Sequence, residues 1–263
     1  MELLKRVIVA VIFIPGIIAV FWLGGWWLLG FLAAVSLLAM WEVRDLFRHK
    51  GITLPGLLVP FNVLFFLAAT LCGWREVFLI FFALFATVLG RDIILDRRQN
   101  ALIRVAGCVF SLVYTGLFLS SIHHIRAIEG GRWLILLLLV SIWITDSMAY
   151  FVGMKFGRHR GLIKVSPKKS VEGFVAGLVF AFALPLLTAW LRPGLVSWAH
   201  AAFIGVAAGV FGQLGDLFES MLKRDAGVKD SSRLLPGHGG ILDRFDSLFV
   251  AAPLLYLLLL YSG

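Results

Sequence analysis

"WLILLLLVSIWITDSMAYFVG", residues 133–153, decides how the rest of the chain is read. It is a long apolar run whose one charged residue is Asp146. As a helix rising about 1.5 Å per residue it covers about 30 Å, the thickness of a bilayer's hydrocarbon core. Backbone N–H and C=O groups at that depth have no water to bind, so the segment must satisfy them internally, as a helix.

Working outward, apolar runs recur at 7–23, 25–41, 54–72, 77–90, 105–122, 171–191, 197–216 and 247–262. With 133–153 they make nine, and the expected fold is an all-α polytopic membrane protein of about nine transmembrane helices. The first, second, fourth and ninth runs are short. Composition agrees: mean hydropathy is +0.96, and 15% of residues are charged, against roughly 25% in soluble domains. Lys5 and Arg6 precede the first run as in a signal peptide. That run is long for one, however, and no small-x-small cleavage site follows before Trp26, so it reads as a retained helix. Cys72 and Cys108 lie in or beside apolar runs, too few for a disulfide framework and too apolar in setting for a metal.

Basic residues set the orientation. Of 24 lysines and arginines, only Arg75, Arg126, Arg132 and Arg192 fall on one side of a nine-span topology. The other twenty lie on the opposite side, the N-terminal one, which the positive-inside rule makes cytoplasmic. The net charge of +9 then belongs mostly to the cytoplasmic face, where anionic lipid attracts it. Basic residues scattered over several loops, without a binding module, argue against nucleic acid as a partner. The chain divides into a scaffold region of about five spans, 1–131, and a region of about four spans, 132–263, that holds almost all the unusual polar chemistry.

Three polar constellations occupy that second region. Asp146 lies nine residues before Lys155, about 13 Å of helix below the cytoplasmic edge. A carboxylate there costs about 2.5–3.5 kcal/mol unless it faces a partner or a hydrated cavity. Tyr150, one turn on, shares its face. Hydrogen bonding to a neighbouring helix for packing alone is the plain alternative.

The second is "SPKKSVEG", 166–173. Ser166-Pro167 reads as a turn, Ser166 or Ser170 as the cap of the following helix, and Glu172 as a first-turn acid favoured by the helix dipole. Lys168 and Lys169 beside that N-terminus are either positive-inside anchors or an anion pocket for phosphates.

The third joins "AAGVFGQLGDLFESMLKR" (207–224) to "DAGVKDSSRLLPGHGGILDRFDS" (225–247). Gly212, Asp216, Glu219 or Ser220, and Lys223 stand at helical spacing on one face. Asp243 and Asp246, three apart, would share a face of the last helix, with Arg244 on another. Three acids at the ends of adjacent spans suit a hard cation, and magnesium is held by one or two carboxylates plus phosphates. Gly237, Gly239 and Gly240 around His238 supply backbone that a ligand can approach closely. Acids and bases that simply pair with each other remain the alternative. No GxxxxGK[ST] or GxGxxG loop, no HExxH and no GxSxG elbow occurs, which leaves a phosphate-handling metal site.

"SMLKRDAGVKDSSRLLPGHGGILDRFDS" (220–247) resembles, over its whole length, the signature of the phosphatidate cytidylyltransferases, also called CDP-diglyceride synthases. The resemblance extends through "GQLGDLFES", "SPKKSVEG" and "TDSMAYFVGMKFGRH" and covers most of 141–255; "MWEVRDL" (40–46) is a faint echo upstream. Val171 stands where many members have Trp.

The resemblance implies that CTP and phosphatidate give CDP-diacylglycerol and pyrophosphate at the cytoplasmic face of the inner membrane. It implies Asp216 and Asp243 as magnesium ligands, with room for a second cation, and Asp246 and Asp146 as supporting carboxylates. Lys168, Lys169, Lys223, Arg224, Lys229 and Arg244 become candidates for the phosphates, and Ser166, Ser220, Gly237, His238, Gly239 and Gly240 for substrate contacts. Membrane lipid is the expected surrounding, and a homodimer is compatible with it. Two other classes share parts of this pattern. A secondary transporter also carries intramembrane acids, but it predicts matching broken helices in two halves. A CTP-dependent polyprenol kinase shares the nucleotide and a lipid acceptor. A CDP-alcohol phosphotransferase needs an acidic motif opening on Asp-Gly, a pair this chain lacks.

Overall fold

The computed structural model describes residues 2–161, 163–234 and 239–262, with side chains from Phe13 onward. The described residues are all-α, without a named strand. In chain order the helices are α1 (Glu2–Leu23), α2 (Gly25–His49), α3 (Leu58–Leu71), α4 (Trp74–Ile94), α5 (Ala101–Leu112), α6 (Phe118–Ala127), α7 (Gly131–Phe156), α8 (Val171–Leu191), α9 (Trp198–Val206), α10 (Gln213–Asp225) and α11 (Leu242–Ser262). A π-helical turn, Val113–Leu117, joins α5 to α6, and another, Ala207–Gly212, joins α9 to α10. Each of the nine apolar runs is therefore helical over most of its length.

Seven stretches among the described residues are long and apolar enough to cross a membrane, with Ala101–Ala127 and Trp198–Asp225 each counted as one. Leu58–Leu71 is shorter. The short members differ from those the sequence suggests. α2 has 25 residues, α4 21 and α11 21. α3 has only 14, because Leu54–Leu57 turn instead of continuing the helix. Pro55 disfavours helical backbone before it, and the Arg44 guanidinium donates to the Leu54 carbonyl at 3.4 Å.

One apolar core runs through both halves of the chain, from Leu28 and Leu32 through Leu119 and Ile122 to Leu138, Phe249 and Leu255. A second, between α2 and α5, holds Met40, Leu58, Phe65, Leu84 and Leu112. Tyr114, in the first π turn, is buried against Phe249 and Phe218 with ring centroids 5.0 and 5.7 Å away.

α7 and α8 lie side by side, and small residues make this possible. Gly173 and Gly177 on α8 form a GxxxG pair facing Ala149 and Gly153 of α7. A Cβ on Gly173 would lie 2.6 Å from the Ala149 carbonyl oxygen. Helices in lipid gain no hydrophobic drive to associate, so this close van der Waals approach holds the pair together.

Candidate active site

Ser170 caps α8, its hydroxyl accepting from the Gly173 N–H at 3.1 Å. The segment ahead of it is tied back on itself. The Ser166 carbonyl accepts from the Lys169 N–H, and the Glu172 carboxylate binds the backbone and ring of His159. These contacts fix a basic loop over the α7–α8 junction.

Beneath that loop is a cavity of about 640 Å³. α7 contributes Asp146, Ala149, Tyr150 and Gly153, the loop Arg160, Ile163, Lys168 and Lys169, and α8 and α10 add Phe174, Gln213 and Asp216. Asp146 is exposed to this space rather than packed in the core, which favours the cavity role over packing alone. Lys169 is ion-paired with Asp216, linking the loop to the first turn of α10. A smaller cavity of about 40 Å³ shares Asp146 and adds Arg244 and Asp246. Asp146 borders both cavities, with Asp216 in the larger and Asp246 in the smaller. The site thus has an acidic floor and a cationic rim.

Asp243 stands in a second cluster. Its Oδ1 accepts from the Lys223 ammonium. Its Oδ2 accepts from the backbone N–H groups of Ser231 at 3.0 Å and Gly240 at 2.7 Å, and lies 2.9 Å from the Ser231 hydroxyl. Lys223 also pairs with the fully buried Glu219 one turn back on α10. Asp243 and Asp246 therefore face different partners, although a shared face is the expectation from their spacing. At the start of α11, Asp243 turns back to Ser231 and Gly240, while Asp246 lines the smaller cavity with Asp146.

The remaining sequence candidates separate. Lys168 lines the large cavity. Arg224 donates to the Val228 carbonyl and shapes the turn after α10. Lys229 is exposed on the following loop, and Ser220 is half-buried on α10 outside the cavity lining. Ser166 serves the turn rather than the lining. Gly237 and His238 lie outside the described residues.

Gly239 and Gly240 are crowded by the protein's own acids. Gly239 has φ +80°, and a Cβ on Gly240 would meet the Ser231 hydroxyl at 2.1 Å and Glu42 at 2.4 Å. Arg160 and Gln213 also line the cavity, and sequence reading missed both. Arg160 is one of many loop cations, and Gln213 is marked only by its place in "GQLGD".

A magnesium ion fits this donor set in part. Among the described residues, no three acids, histidines or cysteines converge at ligating distance. Magnesium needs only one or two carboxylates when phosphates complete its shell, and Asp216, beside Asp146 at the cavity, offers hard oxygen donors of that kind. Asp243 is already engaged by the Lys223 ammonium and the Ser231 and Gly240 N–H groups, with the Ser231 hydroxyl shared between it and Glu42, and would have to exchange one of these partners to join.

The chain has named relatives. The sequence model described as "Cytidylyltransferase family" matches residues 4–262. A phosphatidate cytidylyltransferase of Staphylococcus saprophyticus is 33% identical over 259 residues, covering 98% of this chain and 97% of that protein. Proteins of the same name from Staphylococcus aureus and Staphylococcus epidermidis are 32% and 33% identical over 262 residues, 98% of each chain. With the match running through the cavity, the basic loop and both acid clusters, this chain belongs to the cytidylyltransferase family and is a nucleotidyltransferase of the membrane.

Proposed function

We propose that the protein transfers the cytidylyl group of CTP to phosphatidate, giving CDP-diacylglycerol and pyrophosphate. The observation that carries this is the large cavity, where Lys168, Lys169 and Arg160 stand over Asp146 and Asp216. It has cations for phosphates and carboxylates for a metal at one end of a membrane helix bundle. The lipid phosphate, with a second pKa of about 6 for a phosphomonoester, is mostly dianionic at neutral pH and attacks the α-phosphorus without a general base.

Lys168, Lys169 and Arg160 would hold the triphosphate and orient its pyrophosphate leaving group away from the lipid oxygen. Fixed cations of this kind stabilise charge as it develops, at no cost of reorganisation. Asp216, with Asp243 by the family's pattern, would hold magnesium, which when bound offsets the repulsion between two anionic substrates. Asp146 and Asp246 support that charge from the floor.

The site is proposed to face the cytoplasm in the inner membrane. Seven of the nine tryptophans, Trp22, Trp26, Trp27, Trp74, Trp133, Trp190 and Trp198, are exposed at helix ends. Those ends alternate in chain order with the ends carrying the basic loops, as an interfacial belt on the opposite face requires.

Purified protein in mixed micelles should release pyrophosphate from CTP only when phosphatidate and magnesium are both present, with cytidine label entering lipid. Production of CDP and a phosphorylated lipid alcohol would instead identify a polyprenol kinase.

A further inference from the structure

Glu42 lies on α2, in the half of the chain that composition assigns to scaffold, and it is wholly buried. A buried carboxylate needs strong partners, and this one has four. Its Oε1 accepts from the Ser232 hydroxyl at 2.6 Å and the Ile241 N–H at 2.8 Å. Its Oε2 accepts from the Leu242 N–H at 2.8 Å and stands 2.8 Å from the Ser231 hydroxyl. Ser231 and Glu42 are 189 residues apart in the chain. Residues 231–232 lie between α10 and α11, and 241–242 are where α11 begins. One side chain thus ties the two segments together and satisfies free N–H groups where α11 begins, a place that favours negative charge.

The pin reaches the site through Ser231, whose hydroxyl also lies 2.9 Å from Asp243 Oδ2. A hydroxyl has one proton and donates it to one carboxylate at a time. When Asp243 engages a ligand, the Ser231 hydroxyl can donate wholly to Glu42, and residues 231–232 stay tied to 241–242 without Asp243's help. Gly240 fits this arrangement, since any side chain there would collide with Glu42 and Ser231 together. Lys50, two turns along from Glu42 just past the end of α2, pairs with Asp225 at the end of α10. α2 therefore grips the site from both sides of the loop.

We infer that Glu42 is a positioning residue for the transfer reaction, tying residues 231–232 to 241–242 and, through Ser231, holding the Asp243 carboxylate in working register. This rests on the proposed activity, and the test separates the two. Glu42→Gln keeps the volume but removes the charge and turns an NH2 toward the Ile241 or Leu242 N–H, breaking that bond, while the neighbouring serine hydroxyl must turn round to accept.

In the full-length protein, amide exchange in peptides covering 226–245 should quicken at least about tenfold, as loss of bonds to a charged acceptor predicts, with the other helices unchanged. kcat for cytidylyl transfer should fall at least about tenfold. A cycle with Ser231→Ala should be non-additive, because both substitutions cut the same link. A folded Glu42→Gln protein with wild-type exchange in 226–245, or with wild-type kcat, would overturn the inference, as would additive losses in the cycle. If Glu42→Gln does not fold, Ser232→Ala removes the bond to Glu42 together with the hydroxyl's contact to the Leu234 N–H, and unchanged exchange at 241–242 then overturns it. Wild-type protein that transfers no cytidylyl group refutes the proposed activity, while the exchange measurement still decides whether Glu42 holds the loop.

Discussion

Lys169 and Asp216 form an ion pair that joins the basic loop before α8 to the first turn of α10 across the cavity. Both side chains remain about a third exposed, at 33% and 29%, so the pair is accessible to competing ligands. In the proposed reaction, nucleotide phosphates would compete for the ammonium and a cation for the carboxylate, so the pair would be the resting form of two binding groups.

Replacing Lys169 with Met removes the cation but keeps most of the apolar stem. We expect kcat/KM for CTP to fall about a hundredfold or more, the scale of losing one preorganised charge-stabilising group. Steady-state kinetics in mixed micelles check this, and a wild-type value would remove Lys169 from phosphate binding.

Asp243→Asn turns an amide toward donors that now converge on a carboxylate: Lys223, Ser231 and Gly240. Turnover should drop by about a thousandfold or more while the protein remains folded in detergent. Near-normal turnover would exclude Asp243 as a metal ligand.

Gly173→Ala places a methyl 2.6 Å from the Ala149 carbonyl oxygen. That contact is with backbone, which cannot swing aside, so α7 and α8 must separate at the cavity wall. A loss of about 1–3 kcal/mol is expected from overpacking of this kind, read as a lower thermal midpoint in detergent. Wild-type stability would show that the helix pair can spread without cost.

Arg104 and Asp92 are a buried ion pair at 2.6 Å, away from the cavity. Arg104 also donates to the Gln99 and Arg97 carbonyls, closing the turn between α4 and α5. Arg104→Met strands the Asp92 charge and should cost about 3–5 kcal/mol of stability. The remaining folded enzyme should keep its kcat, so a fall in turnover per folded molecule would link this turn to the site.

The sequence carries the fold through length and apolarity. All nine runs are helical because a backbone in lipid has few alternatives, yet α3 begins late where Pro55 and Arg44 impose a turn. Asp146, Lys168, Lys169 and Asp216 are legible because a charge in or beside an apolar helix is costly and therefore conspicuous; they line one cavity. Arg160 and Gln213 are not, since a cation in a basic loop and an amide near a helix start look ordinary. Nor do the two π turns announce themselves, because they differ from α-helix by one hydrogen-bond register and not by composition.

By itself the sequence determined a helical membrane protein, because hydropathy and charge are local properties that a run of residues carries wherever it folds. Only the tertiary structure decided that Asp243 and Asp246 point to different clusters and that Glu42, nearly 200 residues upstream, holds the loop between them and α10. Hydrogen bonds of that span depend on where whole helices pack, and no short stretch of sequence encodes that.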